Sequence, residues 1–281
     1  MKIHIKYILL TLSIHFISCN DVIDVDVPTA TPRLVIEASL DWEKGTVGNE
    51  QTIKLSNTKP YFDIATSNIV AGASVKVTND NDSTEFIFID QNNGEYTTTS
   101  FVPVLNQSYT LEVIYNNETY NAQETLMPVS SIINIAQSYE GGFDDEVLDV
   151  SIYFQDPPDE DNFYLVRFKE VGDLFAELED LSDEFVNGNL IDTWFEKEDN
   201  DDTNEESFIP GDIVNIDLHG ISERYHNYIR LLIEQSNSGG DPFSAVPAAL
   251  KGNCINHIQP DNYALGYFRL TEVAKVSYTF Q

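Results

Sequence analysis

Short segments of alternating apolar and polar residues, separated by turn residues, fill the chain from residue 33 to residue 128. Residues 73–78 alternate with period two, which predicts a strand with one buried face. Turn-forming residues follow at 79–82, and the alternating pattern returns at 85–89. Such signals recur roughly every 8–12 residues, as in antiparallel sandwiches. The region therefore predicts about seven strands without an intervening helix, in an Ig-like antiparallel β-sandwich over 33–128.

A second unit is predicted from residue 129 to residue 281, because Met127 and Pro128 end the first pattern. It reads as a β-rich domain that carries a single amphipathic helix. Strands are expected at 132–138, 148–154, 163–171, 212–218 and 266–280. The acidic stretch between residues 173 and 206 predicts a short helix at 181–186, ended by Gly188.

The long helix is expected near residues 222–235. Ser222 suits the N-cap position, and Tyr225, Ile229 and Ile233 recur on one face of a helical period. The two glycines at 239–240 would stop the helix. The mainly β prediction therefore includes one amphipathic helix in the second unit.

The first residues have the layout of a bacterial lipoprotein export signal. Lys2 and Lys6 precede a mostly apolar run at 7–17, and a small residue stands before Cys19. This layout predicts a signal peptide over residues 1–18, lipidation of Cys19 and an acidic tether over 19–32. The lipid bilayer would then be a partner through the N-terminal anchor. An ordinary signal peptide with a chance cysteine is the alternative.

Acidic residues outnumber basic residues by 47 to 15, which gives a formal net charge of −32. Without Lys2 and Lys6, the mature chain would carry 47 acidic and 13 basic residues and a charge of −34. Such a field repels nucleic acid and anionic lipid surfaces. The composition therefore excludes nucleic-acid binding and favours a divalent cation or a cationic partner.

No catalytic motif stands out in the sequence, and we expect a protein that is not an enzyme. Cys254 and His257 form the only thiol–imidazole pair near each other in the mature sequence, but a spacing of three residues in a loop does not fix their geometry. His219 and His226 lack the spacing of a zinc site. A hydrolase of unknown specificity remains a third class of function.

The acidic run after residue 198 is a calcium candidate. Asp199, Asp201, Asp202 and Glu205 could supply several of the oxygen ligands that Ca²⁺ requires. The EF-hand pattern fails because no glycine stands at the sixth place and Pro210 stands at the twelfth. A mobile, self-repelling loop is the alternative interpretation. Trp194 lies beside this run and is a candidate for stacking on a ligand.

Several short motifs occur in an order that carries a family resemblance. They are Cys19 followed by residues 24–28 (DVDVP), then 33–37 (RLVIE), 71–77 (AGASVKV), 94–97 (GEYT), 185–188 (FVNG), 210–212 (PGD), 241–244 (DPFS), 252–253 (GN) and 265–268 (LGYF). Over nearly the whole chain they resemble the DUF4249 lipoproteins of Bacteroidota, a family without an assigned activity. The first unit is also similar to transthyretin-like or carboxypeptidase-regulatory Ig-type modules.

The resemblance implies a lipid-anchored protein of the cell envelope, in the outer membrane and with surface exposure, often encoded near TonB-dependent transporters. It supplies no catalytic residue and no cofactor. Its best match in the second half is the loop at 241–253, which makes Asp241 and Phe243 candidates for ligand binding. The leading prediction is a binding or accessory subunit of a TonB-dependent transport system. A structural or adhesive surface module, stiffened by calcium, is the alternative.

Overall fold

Strands make up most of the regular structure. The computed structural model describes residues 30–60, 63, 66–158, 160–197, 199, 206–237 and 250–281. The strands of the first half are β1 (Leu34–Glu43), β2 (Gln51–Asn57), β3 (Ser74–Asn79), β4 (Glu85–Asp90), β5 (Glu95–Thr98), β6 (Ser108–Tyr115) and β7 (Glu118–Thr125). The second half contains β8 (Ile132–Ser138), β9 (Asp149–Gln155), β10 (Phe163–Glu170), β11 (Glu177–Ser182), β12 (Leu190–Glu196), β13 (Ile213–Ile221), α1 (Glu223–Asn237), β14 (Ile255–Asn256) and β15 (Leu265–Thr279).

The first seven strands form a curled sheet around an apolar core. β1, β2, β5 and β4 lie side by side, and β3 pairs with both β4 and β6. Ile36 of β1 and Ile53 of β2 are buried in the same cluster as Val77 of β3 and Leu111 of β6, so the two halves of the sheet face each other. The prediction of a mainly β fold with an Ig-like first sandwich is confirmed.

In the described residues of the second half, seven strands form a further sandwich. β12, β9 and β8 form a three-stranded sheet, and β11, β10, β13 and β15 form a layer of four. Ile152 and Phe154 of β9 share a buried cluster with Val166 of β10 and Ile216 of β13, which places the two layers face to face. Three strands facing four is an Ig-like arrangement. The sequence predicted a β-rich second domain without this architecture.

Strand β15 belongs to both sandwiches. Its first part pairs in parallel with β1, from Leu265 opposite Val35 to Val273 opposite Glu43. Its second part pairs antiparallel with β13, from Val273 opposite His219 onward. All the described elements lie in the unit Pro32–Gln281. The domain boundary proposed near residue 128 stays a prediction. Strand β15 pairs with β1 from before that boundary and with β13 from after it.

Helix α1 lies over β10 and β11 of the second sandwich. It begins after Ser222, whose hydroxyl accepts a hydrogen bond from the backbone N–H of Tyr225 at 3.2 Å, as an N-cap does. Tyr225 and Ile229 are buried against Leu165 and Tyr267. The predicted helix near 222–235 is therefore present. Among the described residues, no helix has the length and apolar character needed to cross a membrane.

The acidic stretch before residue 200 differs from the prediction. The helix expected at 181–186 is wrong, because Glu177–Ser182 forms strand β11 and pairs antiparallel with β10. Turns follow, with the N–H of Val186 donating to the carbonyl of Asp183 at 2.8 Å. Strand β12 was also missed. Both are edge strands, and solvated acidic side chains on an edge hide the alternation that identifies a half-buried strand.

Candidate functional site

A cleft of about 670 Å³ opens at one edge of the second sandwich, between the edge strands β11 and β12. We call it the aromatic cleft. It is lined by Phe143, Phe168, Asp173, Phe175, Ala176, Glu177, Leu178, Glu179, Trp194, Phe195, Glu196, Lys197 and Asp199. Its volume lies in the range of clefts that bind small molecules, roughly 300–1,000 Å³.

Three aromatic side chains form the accessible wall of the cleft. The ring centroids of Phe143 and Trp194 lie 4.7 Å apart at 88°, an edge-to-face contact that we call the aromatic corner. Phe143 is 90% exposed and Phe175 is 80% exposed. Large aromatic side chains that remain this exposed around a concavity mark a binding surface more often than a structural one. Trp194 was a sequence candidate for ligand binding, and the structure places it here.

The connection between β8 and β9 holds Phe143 in place. The backbone N–H of Phe143 donates to Glu196 Oε1 at 2.9 Å, and the N–H of Gly141 donates to Asp149 Oδ2 at 3.0 Å. A Cβ on Gly142 would meet the carboxylate of Glu196, so a larger residue there would push this side chain away from the loop. Two carboxylates therefore fix the backbone that carries the exposed ring.

Stacked rings form the base of the cleft. Phe195 stacks on Phe168 at 5.3 Å, and its edge meets Phe208 at 5.4 Å. Phe208 in turn stacks on Phe280 at 4.4 Å. These rings connect the lining of the cleft to the buried core of the sandwich, which makes β12 a rigid support for Trp194.

Lys197 is the one basic residue among the described lining residues, and two acidic groups already pair with it. Its Nζ lies 2.7 Å from Glu170 Oε2 and 3.1 Å from Asp173 Oδ2. Burial lowers the pKa of Lys197, but the hydrogen bonds and charges of Glu170 and Asp173 outweigh burial and raise it. The lysine therefore stays charged and neutralised within the wall.

The remaining charge of the lining is negative. Burial raises the pKa of Glu179, and the charges of Asp180 and Glu177 raise it further, while a hydrogen bond from the hydroxyl of Thr193 opposes the shift. Burial is the largest cause of the shift, and the nearby carboxylates of Asp180 and Glu177 add a negative local potential. The cleft is thus both aromatic and electronegative.

Of the calcium candidates, the structure describes Asp199 alone. Its Oδ1 accepts a hydrogen bond from the N–H of Ser207 at 2.7 Å, and that bond lowers the pKa of the carboxyl. Asp201, Asp202 and Glu205 lie outside the described residues. Among the residues that are described, no group of three or more His, Cys, Asp and Glu side chains could hold a metal ion.

The other sequence candidates lie outside the described residues as well. They are Cys19, Asp241 and Phe243. Phe143, Phe175 and Glu196 were missed as site residues. The glycine pair before Phe143 was the one available signal, because glycines beside an aromatic residue permit close backbone contacts.

Cys254 is a buried free thiol, and burial raises its pKa to about 12. We expect iodoacetamide at pH 8 to alkylate Cys254 about a thousandfold more slowly in the folded chain than in denaturant, because the thiolate is the nucleophile. Peptide mapping by mass spectrometry measures this ratio. Equal rates in the folded and denatured chain would contradict the burial.

His219 makes the stability of the fold depend on pH. Burial lowers its pKa well below 6.5, and the charges of Arg269, Lys275 and Arg167 lower it further. Below about pH 6.5 the unfolded chain binds a proton that the folded chain does not, so stability falls by up to about 1.4 kcal/mol per pH unit. The His219→Leu variant should lack this component in urea titrations between pH 5 and 7. Identical slopes for both proteins would refute the prediction.

The described residues form a mainly β protein with two sandwiches and an aromatic, electronegative cleft. The family model described as "Domain of unknown function (DUF4249)" matches residues 20–277. The chain belongs to the DUF4249 family. No curated protein matches its sequence significantly.

The comparison with solved structures gives weak similarities. A DUF4785 family protein from Legionella pneumophila is 10% identical with a TM-score of 0.27, over 66% of this chain and 52% of that one. The chain thus spans about half the length of that protein. A segment of two fibronectin type-III domains from chicken tenascin is 11% identical with a TM-score of 0.22, over 67% and 90%. A cytokine receptor complex is 9% identical with a TM-score of 0.27, over 69% and 92%.

Proposed function

We propose that this protein is a lipid-anchored binding protein of the cell envelope, which captures a ligand in the aromatic cleft. It would serve a TonB-dependent outer-membrane transporter as an accessory subunit. The observation that carries the binding role is the pair of exposed rings, Phe143 and Phe175, at the mouth of a 670 Å³ cleft. Exposed aromatic area around a concavity releases water when a ligand covers it.

The position of the cleft suits capture. The second sandwich follows the first one along the chain, and the predicted anchor at Cys19 precedes both. A tether over residues 19–32 would hold the fold away from the membrane, where its negative charge is tolerated. The aromatic and carboxylate groups of the cleft support binding, and we propose no catalytic step for them.

The transport role is tested by crosslinking intact cells that express the tagged full chain, followed by identification of the proteins that co-purify. We expect a TonB-dependent transporter in near-stoichiometric yield. Its absence, while the protein remains accessible to protease on the cell surface, would overturn the transport role and favour an adhesive or structural module.

The binding role is tested by mass spectrometry of small molecules released when the purified full chain is denatured. A ligand should be released from the wild type but not from the Phe143→Ala/Phe175→Ala variant. Phe185→Ala is the matched control, because Phe185 is also 90% exposed but does not line the cleft. Equal release from all three proteins would contradict the role of the cleft.

A further inference from the structure

We propose that the aromatic cleft selects ligands that carry an organic cation, namely an ammonium or guanidinium group. The inference deepens the binding role proposed above and rests on it. Phe143 and Phe175 line the cleft and are 90% and 80% exposed, so both present open ring faces to a ligand. An open aromatic face attracts an ammonium or guanidinium group, because the face of the ring is electron-rich.

The charges of the lining favour the same ligand class. Five acidic residues, Asp173, Glu177, Glu179, Glu196 and Asp199, line the cleft against one lysine. The charge of that lysine is already offset by carboxylates at 2.7 and 3.1 Å. A cationic ligand would therefore meet a negative field in the cleft.

The raised pKa of Glu179 also favours a cationic ligand. The pKa of Glu179 is raised by burial and by the charges of Asp180 and Glu177. A cation bound nearby would reverse part of that shift, because an opposite charge favours the ionised carboxylate. An anionic ligand would add to the repulsion, and a neutral ligand would leave it unrelieved.

Glu196 connects the two features of the cleft. Its carboxylate accepts the backbone N–H of Phe143, which positions the aromatic corner, and it also contributes negative charge to the lining. The Glu196→Gln variant keeps an oxygen that can accept this hydrogen bond while the charge is removed. The other oxygen of Glu196 lies 3.5 Å from the N–H of Asp144, so the substitution removes the charge and keeps the shorter of the two loop contacts.

Isothermal titration of the purified full chain tests the proposal with three probes of similar size: agmatine, glucose and glutamate. Agmatine carries a guanidinium and an ammonium group, glucose is neutral and glutamate is anionic. We expect agmatine to bind at least about tenfold more tightly than either of the others. A Gly-Arg-Gly peptide with an acetylated N-terminus and an amidated C-terminus has its side-chain guanidinium as its only charge. Titrated in parallel, it distinguishes a free amine from the basic side chain of a polypeptide as the source of the cation.

The variants assign the binding to the cleft. Phe175→Ala and Glu196→Gln should each weaken agmatine binding about three- to tenfold. Phe185→Ala and Glu50→Gln remove an exposed ring and an exposed charge that do not line the cleft, and they should change nothing. The melting temperature of each variant, measured beside its affinity, shows that the fold is intact.

The outcomes separate this inference from the function on which it rests. Glucose or glutamate binding as tightly as agmatine, or agmatine affinity unchanged in both cleft variants, would overturn the cation class. If that happens while a released ligand still depends on Phe143 and Phe175, the binding role stands and the ligand class is wrong. If no ligand depends on these rings, the binding role itself fails.

Discussion

Replacing Gly266 by Ala should lower the free energy of unfolding by about 3–5 kcal/mol. A Cβ at this position would lie 2.2 Å from the carbonyl oxygen of Ile36 and 2.8 Å from its carbonyl carbon. These are backbone atoms of the parallel neighbour β1, so no side chain can rotate away. Gly266 also has a φ of +86°, where a Cβ adds a cost of about 1–2 kcal/mol. Urea denaturation of the full chain measures the loss.

Gly45→Ala is the matched control for this prediction. Gly45 has the same φ of +86°, but a Cβ there would meet no atom within 4 Å. It should therefore cost only the backbone term, about 1–2 kcal/mol. If the two variants are equally destabilised, the close approach of β1 and β15 is not what selects glycine at position 266.

The crowding at Gly266 gives a structural reason for three of the motifs that carry the family resemblance, at residues 33–37, 252–253 and 265–268. A Cβ on Gly252 would lie 1.4 Å from the carbonyl oxygen of Gly266, so three backbone segments stack at this point. The side chain of Asn253 fixes the stack, because its Nδ2 donates to the carbonyl of Phe268 and its Oδ1 accepts the N–H of Phe268, both at 2.8 Å. These motifs therefore hold the first part of β15 and the loop at 252–253 against β1.

The local sequence pattern predicted most of the strands, but it did not predict which strands pair with each other. The expected strand at residues 132–138 is strand β8 (Ile132–Ser138), and alternation predicted the strands of the first sandwich. The parallel pairing of Val35 with Leu265 joins residues from opposite ends of the chain. No local period encodes such a partner, because the period fixes only which face of a strand is buried.

The sequence predicted only part of the cleft, because it does not show which aromatic side chains are exposed. Trp194 was a candidate because it lies beside an acidic run, and the structure places it in an acidic cleft. Phe143 and Phe175 carry no sequence signal of exposure, since an aromatic residue in a short segment is usually buried. Both rings are exposed at the open edge between β11 and β12. The acidic sequence around these strands hid β12 and suggested a helix where β11 ends.

Replacing Glu124 by Ala should lower the free energy of unfolding by about 3–5 kcal/mol. The side chain of Glu124 is only 4% exposed, and it accepts hydrogen bonds from the hydroxyls of Ser222 and Tyr267, both at 2.9 Å. The Nδ2 of Asn253 lies at 3.4 Å, and Arg224 contributes a charge at 3.9 Å. The variant leaves buried donors from the cap of α1, from β15 and from the preceding loop without their acceptor.

Two further variants separate this network from a simple loss of volume. Glu112→Ala removes a partly exposed carboxylate that lies 3.6 Å from Lys76, and it should cost less than about 1 kcal/mol. In a Tyr267→Phe background one donor is already absent, so Glu124→Ala should cost about 1–2 kcal/mol less than in the wild type. Urea titrations of the four corners of this cycle measure the coupling. If the costs are strictly additive, the buried carboxylate of Glu124 stabilises the fold by filling space rather than by accepting these hydrogen bonds.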